Sequence, residues 1–207
     1  MFTGIVQTVD KVADVQKEPG LTRFSVEFSA KMLKGLQVGA SVSLAGVCQT
    51  VVRIEGHRVW FDAIQETLTR TTFQTLEVGQ ELNIERSAKF GDEIGGHILS
   101  GHVYGKAEIV RIDEFESNRV VTFRCPQAWI KFLFSKGFIA IDGASLTIVD
   151  VRADGTFTVH LIPETLRITT FGKKIQGDWV NIEIDSQTQV IVETIERILK
   201  SKDLAYR

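Results

Sequence analysis

The sequence predicts an all-β protein in two similar halves, each an antiparallel barrel or sandwich, with an amphipathic helix at its C-terminus. Three observations point there. Four blocks of residues recur once in the same order, short apolar or alternating runs are separated by turn residues, and the last segment places its apolar residues at helical spacing.

The repeat sets the organisation. Ala45-Gly46-Val47-Cys48-Gln49-Thr50-Val51-Val52 returns as Asp142-Gly143-Ala144-Ser145-Leu146-Thr147-Ile148-Val149, 97 residues on. Ile64 to Phe73 returns as Ile162 to Phe171, 98 residues on, with Glu-Thr-Leu at the centre of both copies. Thr3-Gly4-Ile5-Val6 matches Ser100-Gly101-His102-Val103, and Asn83-Ile84-Glu85 matches Asn181-Ile182-Glu183. The halves therefore run from 1 to 96 and from 97 to 187, with a tail from 188 to 207. The glycine-rich stretch Gly91 to Gly96 is the joint, where the backbone has freedom to turn.

Within the first half the strand candidates are Phe24 to Phe28, Ala40 to Leu44, Thr50 to Ile54, Arg58 to Ala63 and Glu81 to Arg86. Short strands at such regular spacing read as a barrel or sandwich. Brief helical segments interrupt them near Ala30 to Leu36 and Gln127 to Phe134. In the tail, Ile191, Ile195, Ile198 and Leu199 form one stripe of a helix over Thr188 to Leu199, with Glu193, Glu196 and Arg197 between them. That stripe has two destinations open to it: the protein's own barrels, or copies of the same helix in an oligomer.

Composition narrows the function classes. Of 207 residues, 43% are hydrophobic and 24% charged, a balance that supports a buried core. The net charge of −2 offers no field to gather nucleic acid or an anionic membrane, so neither is an expected partner. No stretch has the roughly 20 apolar residues of a membrane span, and the N-terminus lacks a secretion signal, so a cytoplasmic location is expected. The two cysteines, Cys48 and Cys125, are then expected as free thiols. Neither they nor the four histidines show a CxxC or HExxH spacing, so no metal is expected.

Duplicated halves imply two similar pockets, which take two copies of one ligand or leave one pocket a relic. Residues two apart in a strand face the same way, so Cys48 and Thr50 share a face, as do Ser145 and Thr147. Each pair can turn small polar groups toward a flat heterocycle, or merely satisfy neighbouring backbone. Glu66-Thr67 and Glu164-Thr165 sit where an apolar strand ends, a place to grip a ligand edge or simply to start a short helix. Because these two carboxylates hold equivalent places in separate halves, they are not a glycosidase pair flanking one bond. His102 takes the place that Ile5 has in the first half, so a group able to move a proton near neutral pH breaks the symmetry. His57, His97 and His160 read as structural. Lys136, just before the Asp142 block, can steady a polar ligand edge or stand on the surface.

Several blocks together resemble the riboflavin synthase family: the opening MFTGIV, the run GDEIGGHILSGHV between Lys89 and Val103, the run Lys136 to Thr147, and HLIPETL at His160 to Leu166. The likeness covers almost the whole chain. It implies two homologous six-stranded antiparallel Greek-key β-barrels in tandem plus the C-terminal amphipathic helix, and a homotrimer in which each active site lies between the N-terminal barrel of one subunit and the C-terminal barrel of a neighbour. It also implies no added cofactor and two copies per site of 6,7-dimethyl-8-ribityllumazine, dismutated by four-carbon transfer to riboflavin and 5-amino-6-ribitylaminouracil. Association with lumazine synthase is compatible with the same likeness. A lumazine or flavin carrier of the same superfamily, which binds without turnover, is the alternative.

Carried over by position, the resemblance implies a first pocket of Gly4, Ile5, Val6, Ser41, Cys48, Gln49, Thr50, Asp62, Ala63, Ile64, Gln65, Glu66 and Thr67. The second would use Gly101, His102, Val103, Lys136, Ser145, Leu146, Thr147, Leu161, Ile162, Pro163, Glu164, Thr165 and Leu166. The family's chemistry removes a proton from a lumazine methyl group and adds a nucleophile to the partner ring, and the matching candidates are His102, Ser145, Cys48, Ser41 and Asp142. The first barrel departs from the family's NGVCLTV: Ala45 lacks an amide that could fix the loop, and Gln49 stands where leucine is usual. Strand alternation turns Gln49 away from Cys48 and Thr50, so it must find another polar partner.

Overall fold

The computed structural model describes residues 1–205, with side chains through Ser201. Two closed antiparallel barrels follow one another along the chain. The first comprises β1 (Thr8–Glu18), β2 (Leu21–Glu27), β3 (Ser41–Leu44), β4 (Val47–Glu55), β5 (Arg58–Ile64) and β6 (Glu81–Arg86). The second comprises β7 (Gly105–Glu114), β8 (Arg119–Arg124), β9 (Phe138–Ile141), β10 (Ala144–Val151), β11 (Thr156–Leu161) and β12 (Trp179–Ile184). Around the first barrel the order is β1-β2-β5-β4-β3-β6, a Greek-key path. The second runs β10-β11-β8-β7-β12-β9, the same ring of neighbours shifted by one repeat.

The repeat extends to the irregularities. Register slips at Val12/Asp14 and Val51/Arg53 in the first barrel, and at Ile109/Arg111 and Ile148/Asp150 in the second. Such bulges bend and twist a strand, which lets a six-stranded sheet close on itself. Each barrel fills its interior mainly with the alternating residues of its own strands. Phe24, Phe61 and Phe73 form the aromatic centre of the first, and Phe123 stacks on Phe157 with 5.3 Å between centroids in the second.

The short helices α1 (Ala30–Leu33), α2 (Gln65–Arg70) and α3 (Pro163–Ile168) sit between strands, and α4 (Ser186–Ala205) closes the chain. The sequence places the start of α4 later, at Thr188; Asp185 caps it by accepting from the Thr188 N–H at 2.8 Å. No helix among the described residues is long and apolar enough to cross a membrane.

The barrels meet along a seam whose turn, asparagine and glycine contacts come in matched pairs. The β3–β4 and β9–β10 turns place Ala45-Gly46 and Asp142-Gly143 in the left-handed region, with φ of 46° and 81° in one and 44° and 80° in the other. Asn83 donates to the Asp142 carbonyl and accepts from the Thr170 N–H; Asn181 donates to the Ala45 carbonyl and accepts from the Thr72 N–H. Phe2 and Leu99 form a two-way backbone bridge across the same seam.

Candidate active site

The first barrel opens on a cleft of about 480 Å³ lined by Cys48, Glu66, Thr67, Arg70, Gly101, His102, Val103 and Tyr104, with Gln189 of α4 at its edge. Cys48 stands near the start of β4 with its side chain outside the barrel, because Val47 and Val51 take the inward positions. Helix α2 begins where β5 leaves the barrel, so Glu66 and Thr67 reach the rim in its first turn, and Glu66 pairs with Arg70 one turn on. The cleft is completed from the other half of the chain: the Cys48 N–H donates to the Gly101 carbonyl at 2.9 Å, which sets His102 and Val103 across the opening.

The second barrel repeats the arrangement with its own chemistry. The Ser145 N–H donates to the Gly4 carbonyl at 2.8 Å. Glycine is required at both junctions: a β-carbon on Gly4 would lie 2.5 Å from that of Ser145, and one on Gly101 would lie 2.6 Å from that of Cys48. Ser145 also has a partner that Cys48 lacks. The Oγ of Ser145 lies 2.6 Å from Nδ1 of His97, whose ring stacks on Phe138 and whose Nε2 is buried with no partner among the described residues. Burial lowers the pKa of His97 below the usual histidine value, so the neutral, proton-accepting imidazole is favoured. Free thiols stand at Cys48 and Cys125, and burial pushes the Cys125 thiol up to about 11.

These contacts correct the expected grouping. Gly4 lies with Ser145 of the second barrel and Gly101 to Val103 with Cys48 of the first, so the two segments are exchanged relative to the halves that contain them. Val6 goes further and is buried in the second barrel's core, while Val103 packs on the first's. Ala63 and Leu161 face the barrel interiors, fully buried, and do not line a cleft. Gln49 is likewise turned inward; its amide donates to the Cys48 carbonyl at 3.0 Å, and its Oε1 has no partner among the described residues. Asp142 is a turn residue of the seam. Its buried carboxylate accepts from the Asn181 N–H at 2.8 Å and lies 3.5 Å from Lys174, so it is held in place and not presented to a ligand.

The remaining candidates stay at or near the rims. Asp62 is engaged by Arg23 in a two-point ion pair beside the first rim. Ser41 stands opposite Thr50 on paired strands, and Thr50 and Thr147 are exposed. Ile64, Gln65, Ile162, Pro163, Glu164 and Lys136 are exposed, as are Ile5 and His102. Thr165 is half-buried, and Leu146 and Leu166 pack partly on the second core. His97 is the functional candidate that repeat-based reading misses: Thr3 pairs with Ser100, so the counterpart of His97 would precede Met1. No group of histidine, cysteine and acidic side chains among the described residues is placed to hold a metal ion.

Two tandem barrels of one topology with matched small polar residues at their mouths define a duplicated β-barrel protein, and the lumazine binding domain family matches residues 3–87 and again 100–185. Riboflavin synthase of Escherichia coli (strain K12) is 48% identical over 206 residues, covering 99% of this chain and 96% of that protein. Riboflavin synthase of Chlamydia pneumoniae is 45% identical over 201 residues, covering 97% and 98%. Among solved structures, LumP complexed with riboflavin superposes with a TM-score of 0.83 at 31% identity, over 90% of this chain and all of that one. LumP complexed with 6,7-dimethyl-8-(1'-D-ribityl) lumazine gives 0.80 at 32% identity, over 88% and 98%. The chain belongs to the riboflavin synthase family.

Proposed function

We propose that the chain catalyses the dismutation of two molecules of 6,7-dimethyl-8-ribityllumazine, in which four carbons pass from one to the other to give riboflavin and 5-amino-6-ribitylaminouracil. The observation that carries this reading is the His97–Ser145 pair: a neutral imidazole 2.6 Å from a hydroxyl, at the junction where Gly4 crosses to the second barrel. A base so placed takes the hydroxyl proton as the oxygen adds to a C=N carbon of an electron-poor ring, the π electrons moving to nitrogen, and returns the proton when the C–O bond breaks and the oxygen leaves. At the other barrel, Cys48 and His102 line a cleft of fitting size, with Glu66 and Thr67 at the rim to hold polar ring edges. His102 is then the group that removes the methyl proton from the second molecule, while Ser41, Thr50, Lys136, Thr147, Glu164 and Thr165 contribute binding.

The reaction needs both molecules in one place, and holding them antiparallel turns a bimolecular encounter into a positioned one. The first cleft is lined by its own barrel, the exchanged segment and Gln189, with no contribution from Ser145 or Glu164. We therefore assign each reacting pair to the space between the first barrel of one copy and the second barrel of a neighbour, in a cytoplasmic homotrimer built on α4. Association with lumazine synthase, which would shorten the path of substrate to this site, belongs to the same reading.

The test is purified protein mixed with dimethylribityllumazine alone. Riboflavin fluorescence should appear without metal or nucleotide; tight binding with no product would establish the carrier reading instead. Ser145→Ala and His97→Gln are each expected to lower kcat by roughly 10²-fold or more, the scale of general acid–base and nucleophilic contributions. Thermal denaturation of both variants should stay close to wild type. A loss of folding equal to the loss of rate would return both residues to a structural role.

A further inference from the structure

Two buried carboxylates, Glu85 on β6 and Glu183 on β12, take no part in the chemistry above. Each accepts three hydrogen bonds. Glu85 receives the Thr3 N–H at 2.6 Å and the Thr3 hydroxyl at 2.8 Å on Oε1, and the Gly4 N–H at 3.0 Å on Oε2. Glu183 receives the Ser100 N–H at 2.7 Å, the Ser100 hydroxyl at 2.7 Å and the Gly101 N–H at 3.0 Å in the same pattern. On both strands the even-numbered residues Leu82 and Ile84, or Val180, Ile182 and Ile184, face the barrel core, so alternation turns the carboxylate outward to the segment it holds.

The next bond along each chain gives the pair its meaning. Gly4, held by Glu85 of the first barrel, accepts from Ser145 of the second. Gly101, held by Glu183 of the second barrel, accepts from Cys48 of the first. We propose that Glu85 and Glu183 are crossed positioning residues: each stands on the last strand of one barrel and stations the segment that completes the ligand cleft of the other. The proposal rests on the reading of those two mouths as substrate sites. Burial raises the pKa of both carboxyls while the donors oppose the rise, as expected where fixed N–H groups hold a charge in place.

Glutamine is the informative substitution. A carboxylate offers acceptors at both ends, whereas an amide offers one, and backbone N–H groups at both ends cannot reverse their polarity. One end of the fork must therefore fail in Glu85→Gln or Glu183→Gln. Amide hydrogen exchange reads the consequence without turnover. Glu183→Gln is expected to speed exchange of the Cys48 amide roughly tenfold, the scale of one charge-assisted bond, and leave the Ser145 amide as in wild type. Glu85→Gln should do the reverse. Labelling of the Cys48 thiol by a disulfide reagent should accelerate in Glu183→Gln only. The milder Ser100→Ala and Thr3→Val, which remove just the hydroxyl donors, should show the same crossed pattern at smaller amplitude. Should either glutamine variant loosen both amides together, or the amide of its own barrel, the crossed assignment falls. Riboflavin formation measured alongside reports separately on the proposed reaction.

Discussion

At position 49 a single side chain shows how an inward-facing residue is penalised. The second barrel has Leu146 at the repeat position, packed against its core, whereas Gln49 is buried with an oxygen that has no partner among the described residues. Gln49→Leu keeps the volume and removes that oxygen, so it should stabilise the protein by about 1–2 kcal/mol, read from the denaturant midpoint. Ala45 is similar in kind. Its φ of 46° is disfavoured for alanine, and it lacks the acceptor that Asp142 offers to the Asn181 N–H in the matching turn. Ala45→Asn is expected to add about 1 kcal/mol, a rise of roughly 2–4 °C in Tm. His97 contributes one pH-dependent part of the stability. Its pKa is lower folded than unfolded, so the unfolded chain takes up that proton first, and the contribution of His97 to stability falls as pH drops below the ordinary histidine value near 6.5. That slope should flatten in His97→Gln in denaturation curves between about pH 5 and 7. Alternation along β4 announces the orientation of Gln49 from sequence alone. The partner of His97 is not so announced, since 48 residues separate it from Ser145 and no repeat flags it.

Helix α4 is the element whose two faces part company. Val192 packs on the second core and Glu196 pairs with Lys131 at 2.6 Å, while Val190, Ile191, Ile195, Ile198 and Leu199 remain exposed. Fully burying such a side chain stabilises by about 1.5–3 kcal/mol, enough in sum to hold copies together. If α4 builds the proposed trimer, Ile191→Glu with Ile195→Glu should lower the sedimentation coefficient of the protein to that of a monomer and abolish riboflavin formation, while circular dichroism of the barrels is retained. The apolar stripe is plain in the sequence because helical spacing is a local property. Its destination is not, because that depends on what else covers it. Strand β1 is the counterpart among the misses: half-buried over most of its length, Thr8–Glu18 shows weak alternation and pairs at both edges, and no compact apolar run marks it.

For the molecule as a whole, the duplicated blocks make two like barrels readable from the chain, since each block marks the same turn or strand end twice. What they conceal is the exchange. Aligned by repeat, Gly4 belongs with Cys48 and Gly101 with Ser145; in space each belongs with the other, because the segments ahead of β1 and β7 cross the seam before entering their barrels. Similarity between halves is blind to such a swap, as a contact and its mirror look alike in sequence. The crossing gives the chain the geometry of an isologous dimer that happens to be covalently continuous. A gene encoding only residues 1 to 96 would then yield a product with an unshielded mouth and a spare arm, and two such products would complete one another by trading arms. Within the one chain both arms of that handshake are tied together, and the two mouths differ in what they present, a cysteine at one and a serine beside a histidine at the other.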